Sequence, residues 1–320
     1  MPNSHVSGWH IIALASQVNQ KAPFACKTPA QDYALFRDKK NIVRALEDRC
    51  IHRRAPLSLG RVTEQGLLQC PYHGWAYEGR QGLCKLIPNF SAGEHISASM
   101  QVKAFAVKES EGFIWLSDNV KTPVNKHAFK AVKLPALSLP SQGEQLLCIP
   151  LQGFWDALLD DPSLVAEIKG IGIVTGNMLG EPAKTNNGLT VEWSAAWRVT
   201  ASKNKTPSDF PLILCVRLAA GSVSAMIELR DSNNQLLLSA VIAAVKADAY
   251  VTKVLWRWVS LPVSKVTGSK TATLKKAIDQ LQFAIKAEIP AEKLMNTHRY
   301  VSAIWHQQLN VVNRECGVNA

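Results

Sequence analysis

Along the first 118 residues, apolar positions come in short runs or in alternation rather than at helical spacing. The runs 9–15, 33–36, 42–45, 67–70, 102–107 and 113–116 read as strands, with Gly60, Gly66, Gly74, Gly79 and Gly82 as turn residues between them. The pattern changes over 119–145, where Pro123, Pro135 and Pro140 stand among polar residues; this stretch reads as a crossing linker. Beyond it two periods are mixed. Residues 154–168 carry apolar side chains at helical spacing, with Pro162 placed to break or restart the helix. The segments 188–199, 211–218, 223–228, 236–245 and 250–259 read as strands. A Lys- and Ser-rich loop at 264–271 then leads into a long helix over 273–312, interrupted, if anywhere, at Pro290. The expectation is an α+β protein: an all-β unit at 1–118, a linker at 119–145, and a unit at 146–320 with an antiparallel sheet and a terminal helical segment. There is no internal repeat.

Composition narrows the class. Hydrophobic residues make up 47% of the 320, enough for sizeable cores and too many for a disordered chain. No apolar run approaches the ~20 residues that span a bilayer. The stretch 11–15 is too short for a signal-peptide core, and no cleavage-type segment follows it. A cytoplasmic protein without membrane contact is expected. The 36 Lys+Arg against 25 Asp+Glu give a net charge of +11, but the charges are scattered: 14 basic and 10 acidic in residues 1–120, 22 and 15 in the rest. Local clusters are small (Arg53-Arg54, Lys203 with Lys205, and 270–276). That suits docking to an acidic partner rather than to nucleic acid, for which no motif is present.

The seven cysteines (Cys26, Cys50, Cys70, Cys84, Cys148, Cys215 and Cys316) are odd in number and widely spread, so they form no disulfide framework. Two of them stand beside histidines: Cys50-Ile51-His52, then seventeen residues, then Cys70-Pro71-Tyr72-His73. Each half offers one thiolate and one imidazole on a short loop. Zinc can use two Cys and two His, but the zinc-finger order is Cys-Cys then His-His. The order here matches a Rieske [2Fe-2S] centre, in which two Cys hold one iron and two His the other. Cys84 has no partner at ligand spacing and reads as a packing residue.

The flanks strengthen the match. Arg53-Arg54-Ala55-Pro56-Leu57 follows the first pair, and Pro71-Tyr72-His73-Gly74-Trp75 wraps the second. The chain closely resembles the Rieske domain of bacterial ring-hydroxylating and demethylating oxygenases, the Rieske non-haem iron oxygenase α subunits. The resemblance extends more weakly over the whole chain and implies a C-terminal helix-grip-like domain. In that family this domain carries a mononuclear iron held by two histidines and a carboxylate, in the pattern acidic, three residues, Asp, two residues, His, four residues, His. On this frame Asp156 takes the acidic position and Asp160 the Asp that, in the family, links the iron site to a neighbour's Rieske histidine. The two histidine positions fall on Ser163 and Ile168, neither of which replaces imidazole. Glu292 is the best match for the third ligand.

The other histidines do not supply the missing pair. His5, His10, His95 and His127 lie outside the frame, and His298 and His306, eight residues apart on one expected helix, are about 12 Å apart along it. A remodelled site using Asp160, Glu167, Glu292 and one distant histidine remains an alternative, as does a capping role for Asp160 and Asp161 before Pro162. Trp155, Trp193, Trp197, Trp256 and Trp258 could line a pocket for an apolar compound or fill the core.

The resemblance implies a chain with a [2Fe-2S] cluster on Cys50, His52, Cys70 and His73 and no mononuclear Fe(II) of its own. Its partners would be a ferredoxin or flavin reductase and an iron-bearing α-type subunit, in a hetero-trimer or hetero-hexamer. Two further readings stand beside it: a self-sufficient oxygenase with a remodelled metal site, and a non-catalytic scaffold or pseudoenzyme subunit.

Overall fold

The computed structural model describes residues 9–29, 31–91, 94–117, 133–185, 188–197, 211–219, 224–262, 272–297 and 299–315. They divide into two compact units, 9–117 and 133–315. His5, His127, His298, Cys316, Lys203, Lys205 and Lys270 lie outside the described residues, as do the 119–132 stretch and the 264–271 loop.

The first unit is all β. Strands β1 (Trp9–Leu14), β2 (Phe24–Lys27), β3 (Asp32–Arg37) and β4 (Val43–Glu47) are followed by four short strands: β5 (Arg61–Val62), β6 (Leu68–Gln69), β7 (Ala76–Tyr77) and β8 (Cys84–Leu86). Strands β9 (Ala104–Ser110) and β10 (Phe113–Ser117) complete it. A six-stranded antiparallel sheet runs β1-β10-β9-β4-β3-β2, and the short strands form a second sheet in the order β5-β6-β7-β8. Two apolar clusters hold the unit. One gathers Ile12, Tyr33, Leu35, Ile114 and Leu116. The other gathers Phe36, Leu46, Leu57, Leu68 and Tyr77, and it includes Cys50, Cys70 and Cys84. The expected strand runs all fall on observed strands; β2, β5, β7 and β8 were too short or too polar for periodicity to mark.

The second unit is built on a sheet of eight antiparallel strands. Its elements are β11 (Ser141–Leu147), α1 (Leu151–Asp160), α2 (Pro162–Val165), β12 (Ala166–Ile168), β13 (Ile171–Met178), β14 (Ala183–Thr185), β15 (Gly188–Trp197), β16 (Leu212–Ala219), β17 (Ser224–Asp231), β18 (Leu236–Asp248), β19 (Val251–Ser260), α3 (Ala272–Asp279), β20 (Phe283–Ile285), α4 (Ala291–Asn296) and α5 (Val301–Glu315). The sheet runs β11-β19-β18-β17-β16-β15-β13, with β14 also paired to β15. On β15 the residues Leu189, Val191, Trp193, Ala195 and Trp197 alternate into the core, joined by Leu214 and Val216 of β16 and Ile227 and Leu229 of β17. Phe154, Leu158 and Leu159 of α1 and Val301 and Trp305 of α5 pack into the same core. Trp155, Trp193, Trp197 and Trp256 are core residues and Trp258 packs against them. No helix among the described residues is long and apolar enough to cross a membrane.

Three expectations are corrected. Residues 141–145, expected as linker, belong to β11, which pairs with β19 along its whole length. The long helix over 273–312 is three helices, and β20 stands between the first two. Phe283 and Ile285 are buried on either side of the half-buried Ala284, a period of two, and β20 pairs with β12. The apolar run 154–168 is likewise not one helix. Asp161 ends α1 and caps α2, accepting from the Ser163 N–H at 3.0 Å and the Ser163 Oγ–H at 2.6 Å. With Pro162 in its first turn, α2 is a short restart before β12.

Candidate metal centre

The two Cys-His pairs sit on loops that follow β4 and β6 and share one backbone template. In the first, the Cys50 N–H donates to the Ala55 carbonyl at 2.9 Å, and the Arg54 N–H donates to the Cys50 carbonyl at 2.7 Å. In the second, the Cys70 N–H donates to the Trp75 carbonyl at 2.8 Å, and the Gly74 N–H to the Cys70 carbonyl at 3.2 Å. The fifth residue of each loop turns the chain with positive φ, 58° at Arg54 and 73° at Gly74. Glycine adopts this freely, whereas it costs Arg54 about 1 kcal/mol. A side chain at Gly74 would also meet Pro88 Cγ at 2.9 Å.

This template divides the ligands by environment. Cys50 and Cys70 are buried in the apolar cluster, at 2% and 4% exposure, while His52 and His73 are exposed. The two imidazole rings lie 4.5 Å apart. His52 stacks on Trp75 at 4.7 Å with the rings within 7° of parallel, and the Tyr72 ring lies 4.0 Å from that of His73. The two cysteines share one buried apolar cluster and neither is in a disulfide. Burial pushes the Cys70 thiol up, so a bound metal is what would hold it as thiolate. Desolvation, with His73 and Arg53 nearby, pulls His52 down, which leaves a neutral ring nitrogen for ligation.

The donors therefore form a thiol pair and an imidazole pair. Among the described residues no three His, Cys, Asp or Glu side chains converge on a point that would serve one ion. In a [2Fe-2S] cluster of this kind two sulfur ligands hold one iron and two nitrogen ligands hold the other. Cys50, His52, Cys70 and His73 fit the cluster. Cys84 packs beside Cys50 and Cys70 in the apolar cluster, its Sγ 3.5 Å from the Leu86 carbonyl.

One residue absent from the sequence reading joins this site. The Tyr77 hydroxyl lies 3.1 Å from Cys50 Sγ. Burial, then the Cys50 contact, pushes the phenol well above its usual range, and once Cys50 is held as a thiolate only the Tyr77 hydroxyl has a proton to donate. A hydrogen bond to a ligand sulfur favours the reduced, more negative cluster. Tyr77→Phe is therefore expected to lower the midpoint potential, measured by redox titration of the EPR signal; an unchanged potential would count against the bond.

The family's second site looks different. Ser163 spends its hydroxyl on Asp161, and Ile168 lies in the core at 2% exposure, paired with Phe283. Glu167 and Glu292 are exposed, and the structure does not bring them together with Asp160 as a ligand set. Asp160 is buried, and its Oδ1 accepts from the Val301 and Ser302 N–H groups at 2.8 and 3.0 Å, at the start of α5. Its Oδ2 has no hydrogen-bond partner. Asp156 Oδ1 lies 2.9 Å from both Gln152 Nε2 and His306 Nε2. The hydrogen bond to Asp156 raises the His306 pKa against the opposing effect of burial. His306 thus joins α5 to α1. Of the remaining histidines, His10 is buried in β1 and His95 is exposed.

The model of the Rieske [2Fe-2S] domain matches residues 8–106. The chain is 38% identical over 117 residues to protein TIC 55, chloroplastic, of Arabidopsis thaliana, covering 37% of this chain and 21% of the relative. It is 37% identical over 119 residues to the chloroplastic pheophorbide a oxygenase of Oryza sativa subsp. japonica, covering 35% and 22%. The matched stretch thus spans about a fifth of the length of these curated relatives. Over almost the whole chain the fold is that of dicamba monooxygenase bound to dicamba, with a TM-score of 0.66 at 17% identity, covering 98% of this chain and 91% of that one.

Proposed function

We propose, for a chain that carries a Rieske [2Fe-2S] domain and the fold of the Rieske non-haem iron oxygenases, the role of Rieske-bearing subunit in a multicomponent hydroxylase or demethylase. It takes electrons from a ferredoxin or flavin reductase and delivers them to the mononuclear iron of a partner α-type subunit, where substrate is turned over. The observation that carries this reading is a contrast within one chain. Two buried cysteines and two histidine rings 4.5 Å apart supply the donor set of a [2Fe-2S] cluster, while the positions that the resemblance gives to the second site's histidines hold a serine bonded to Asp161 and an isoleucine in the core. On this reading the chain binds no mononuclear iron of its own.

Cys50, His52, Cys70 and His73 hold the cluster, which when bound supplies reversible one-electron transfer. The buried thiols keep water from the sulfur side, and the exposed imidazoles form the edge at which another protein can approach. Ile51 and Tyr72 put exposed apolar surface beside that edge. Arg49, Arg53 and Arg54 are exposed on the first loop, and none is in an ion pair among the described residues. Such a positive collar suits an acidic partner and raises the encounter rate at low salt.

Metal analysis of the anaerobically reconstituted chain, followed by mixing of the reduced chain with a partner carrying the His-x4-His motif, tests the proposal. The expected results are about two irons per chain and reoxidation only when the partner is present. Three irons per chain, or substrate turnover by this chain alone, would overturn it in favour of a remodelled site. Two irons with no electron delivery to any such partner would leave the scaffold role.

A further inference from the structure

We infer that Gln69, oriented by Arg61, is the positioning residue for both histidine ligands of the cluster. The inference rests on the reading of Cys50, His52, Cys70 and His73 as the cluster's ligands and goes beyond it to what holds them.

The two ligand loops share their backbone hydrogen bonds but are locked differently at the base. The first is closed by buried Asp48, whose two oxygens accept from the Ser58 N–H at 2.7 Å and the Ser58 Oγ–H at 2.6 Å. The second has no such carboxylate. Its lock is Gln69, the residue before Cys70, whose Nε2 donates to the Gly74 carbonyl at 3.0 Å across the loop. The other end of the same amide accepts from Arg61 Nε at 2.7 Å. Arg61 and Gln69 face each other across the β5–β6 pair, so the strand register brings the guanidinium to the amide. That contact also fixes which end of the amide faces Gly74: Arg61 can only donate, so Oε1 faces Arg61 and the N–H₂ faces the carbonyl.

The second loop governs more than its own ligand. His73 immediately precedes Gly74, so holding the Gly74 carbonyl fixes the peptide that follows the ligand. His52 belongs to the first loop, yet its ring is stacked on Trp75, which immediately follows Gly74. One amide therefore sets the direct presentation of His73 and, through Trp75, the orientation of His52. Neighbours that orient a ligand are worth 10–100-fold in metal affinity in other sites.

Gln69 also lies where it can be changed without opening the core. With Arg61, Val62, Thr63, Leu67 and Leu86 it lines a surface cleft of about 390 Å³. Truncation there widens an existing cleft, so an effect on the cluster can be separated from unfolding.

The test uses the full chain with its cluster in three variants, Gln69→Ala, Gln69→Glu and Arg61→Ala. The readouts are the EPR line shape of the reduced cluster and the rate of iron release to a chelator, with the thermal midpoint as a folding control. Gln69→Glu keeps the contact with Arg61 but has no N–H to donate. It is expected to broaden the g-value features and speed iron release about tenfold, as Gln69→Ala does. Arg61→Ala is expected to change both in the same direction by less. A Gln69→Glu variant with the wild-type line shape and release rate overturns the inference, because packing alone would survive that change. A wild-type chain with no Rieske EPR signal would instead overturn the ligand reading on which the inference rests.

Discussion

Replacing Cys70 by serine, or His73 by alanine, abolishes the visible and EPR signature of the cluster and takes iron from about two per chain to a small residue. Each ligand is one of only two holding its iron on the protein side, and among the described residues no other Cys or His stands ready to replace it. Cys84, the nearest spare thiol, points its sulfur at the Leu86 carbonyl. The two variants differ in what else they do. Cys70 is 4% exposed in an apolar cluster, so serine there leaves a poorly matched hydroxyl and costs about 1–3 kcal/mol in addition to the lost ligand. His73 is exposed, so alanine leaves the apo fold's stability nearly unchanged. The His73 variant is therefore the cleaner one: loss of signal with an unchanged circular dichroism spectrum assigns the ligand. A retained Rieske signal in either variant would refute the assignment. With the cluster gone, electron delivery to a partner should fall to background.

The ligand loops were legible because their chemistry is local. A Cys-x-His and a Cys-x-x-His each fit within one short loop, whose hydrogen bonds close within five residues, as from Cys50 to Ala55 and Cys70 to Trp75. The long strands of the second unit were legible for a related reason: alternation on β15 reports which face is buried, and the unbroken apolar run of β18 marks a strand buried on both faces, each without reference to any partner. What was not legible depends on residues far apart in the chain. The three-residue strands β12 and β20 exist only because Ile168 and Phe283 pair across more than a hundred residues, and Phe283–Ile285 alone can be read as part of a helix. The contact of Asp156 with His306 spans 150 residues. Gln69 was passed over for another reason. A glutamine carries no chemical signature, and its role follows only from the register that sets it opposite Arg61.

Asp160 links what the family resemblance implies to what this chain does with the same residue, and Asp160→Ala is expected to lower the melting temperature by about 6–12 °C. The resemblance gives Asp160 an outward task, a bridge from the iron site to a neighbour's Rieske histidine. In this chain Oδ1 caps α5 through the N–H groups of Val301 and Ser302, both residues at 1% exposure. Removing the carboxylate leaves two buried donors without an acceptor and a helix start without its cap. The sum is about 3 kcal/mol, or about 2–4 °C for each kcal/mol in a unit of this size. Asp160→Asn separates this role from any other. The amide oxygen can still accept from both N–H groups, so the loss should shrink to about 1 kcal/mol, mostly the charge at the helix N-terminus. The second oxygen, buried without a partner, is the atom that the asparagine variant changes most. On the proposed reading this chain has no iron for Asp160 to serve, so Asp160→Asn leaves electron delivery from its cluster unchanged; a fall in delivery at nearly wild-type stability would count against that reading. A wild-type melting temperature in Asp160→Ala would instead refute the cap, since no other side chain accepts from those two N–H groups among the described residues.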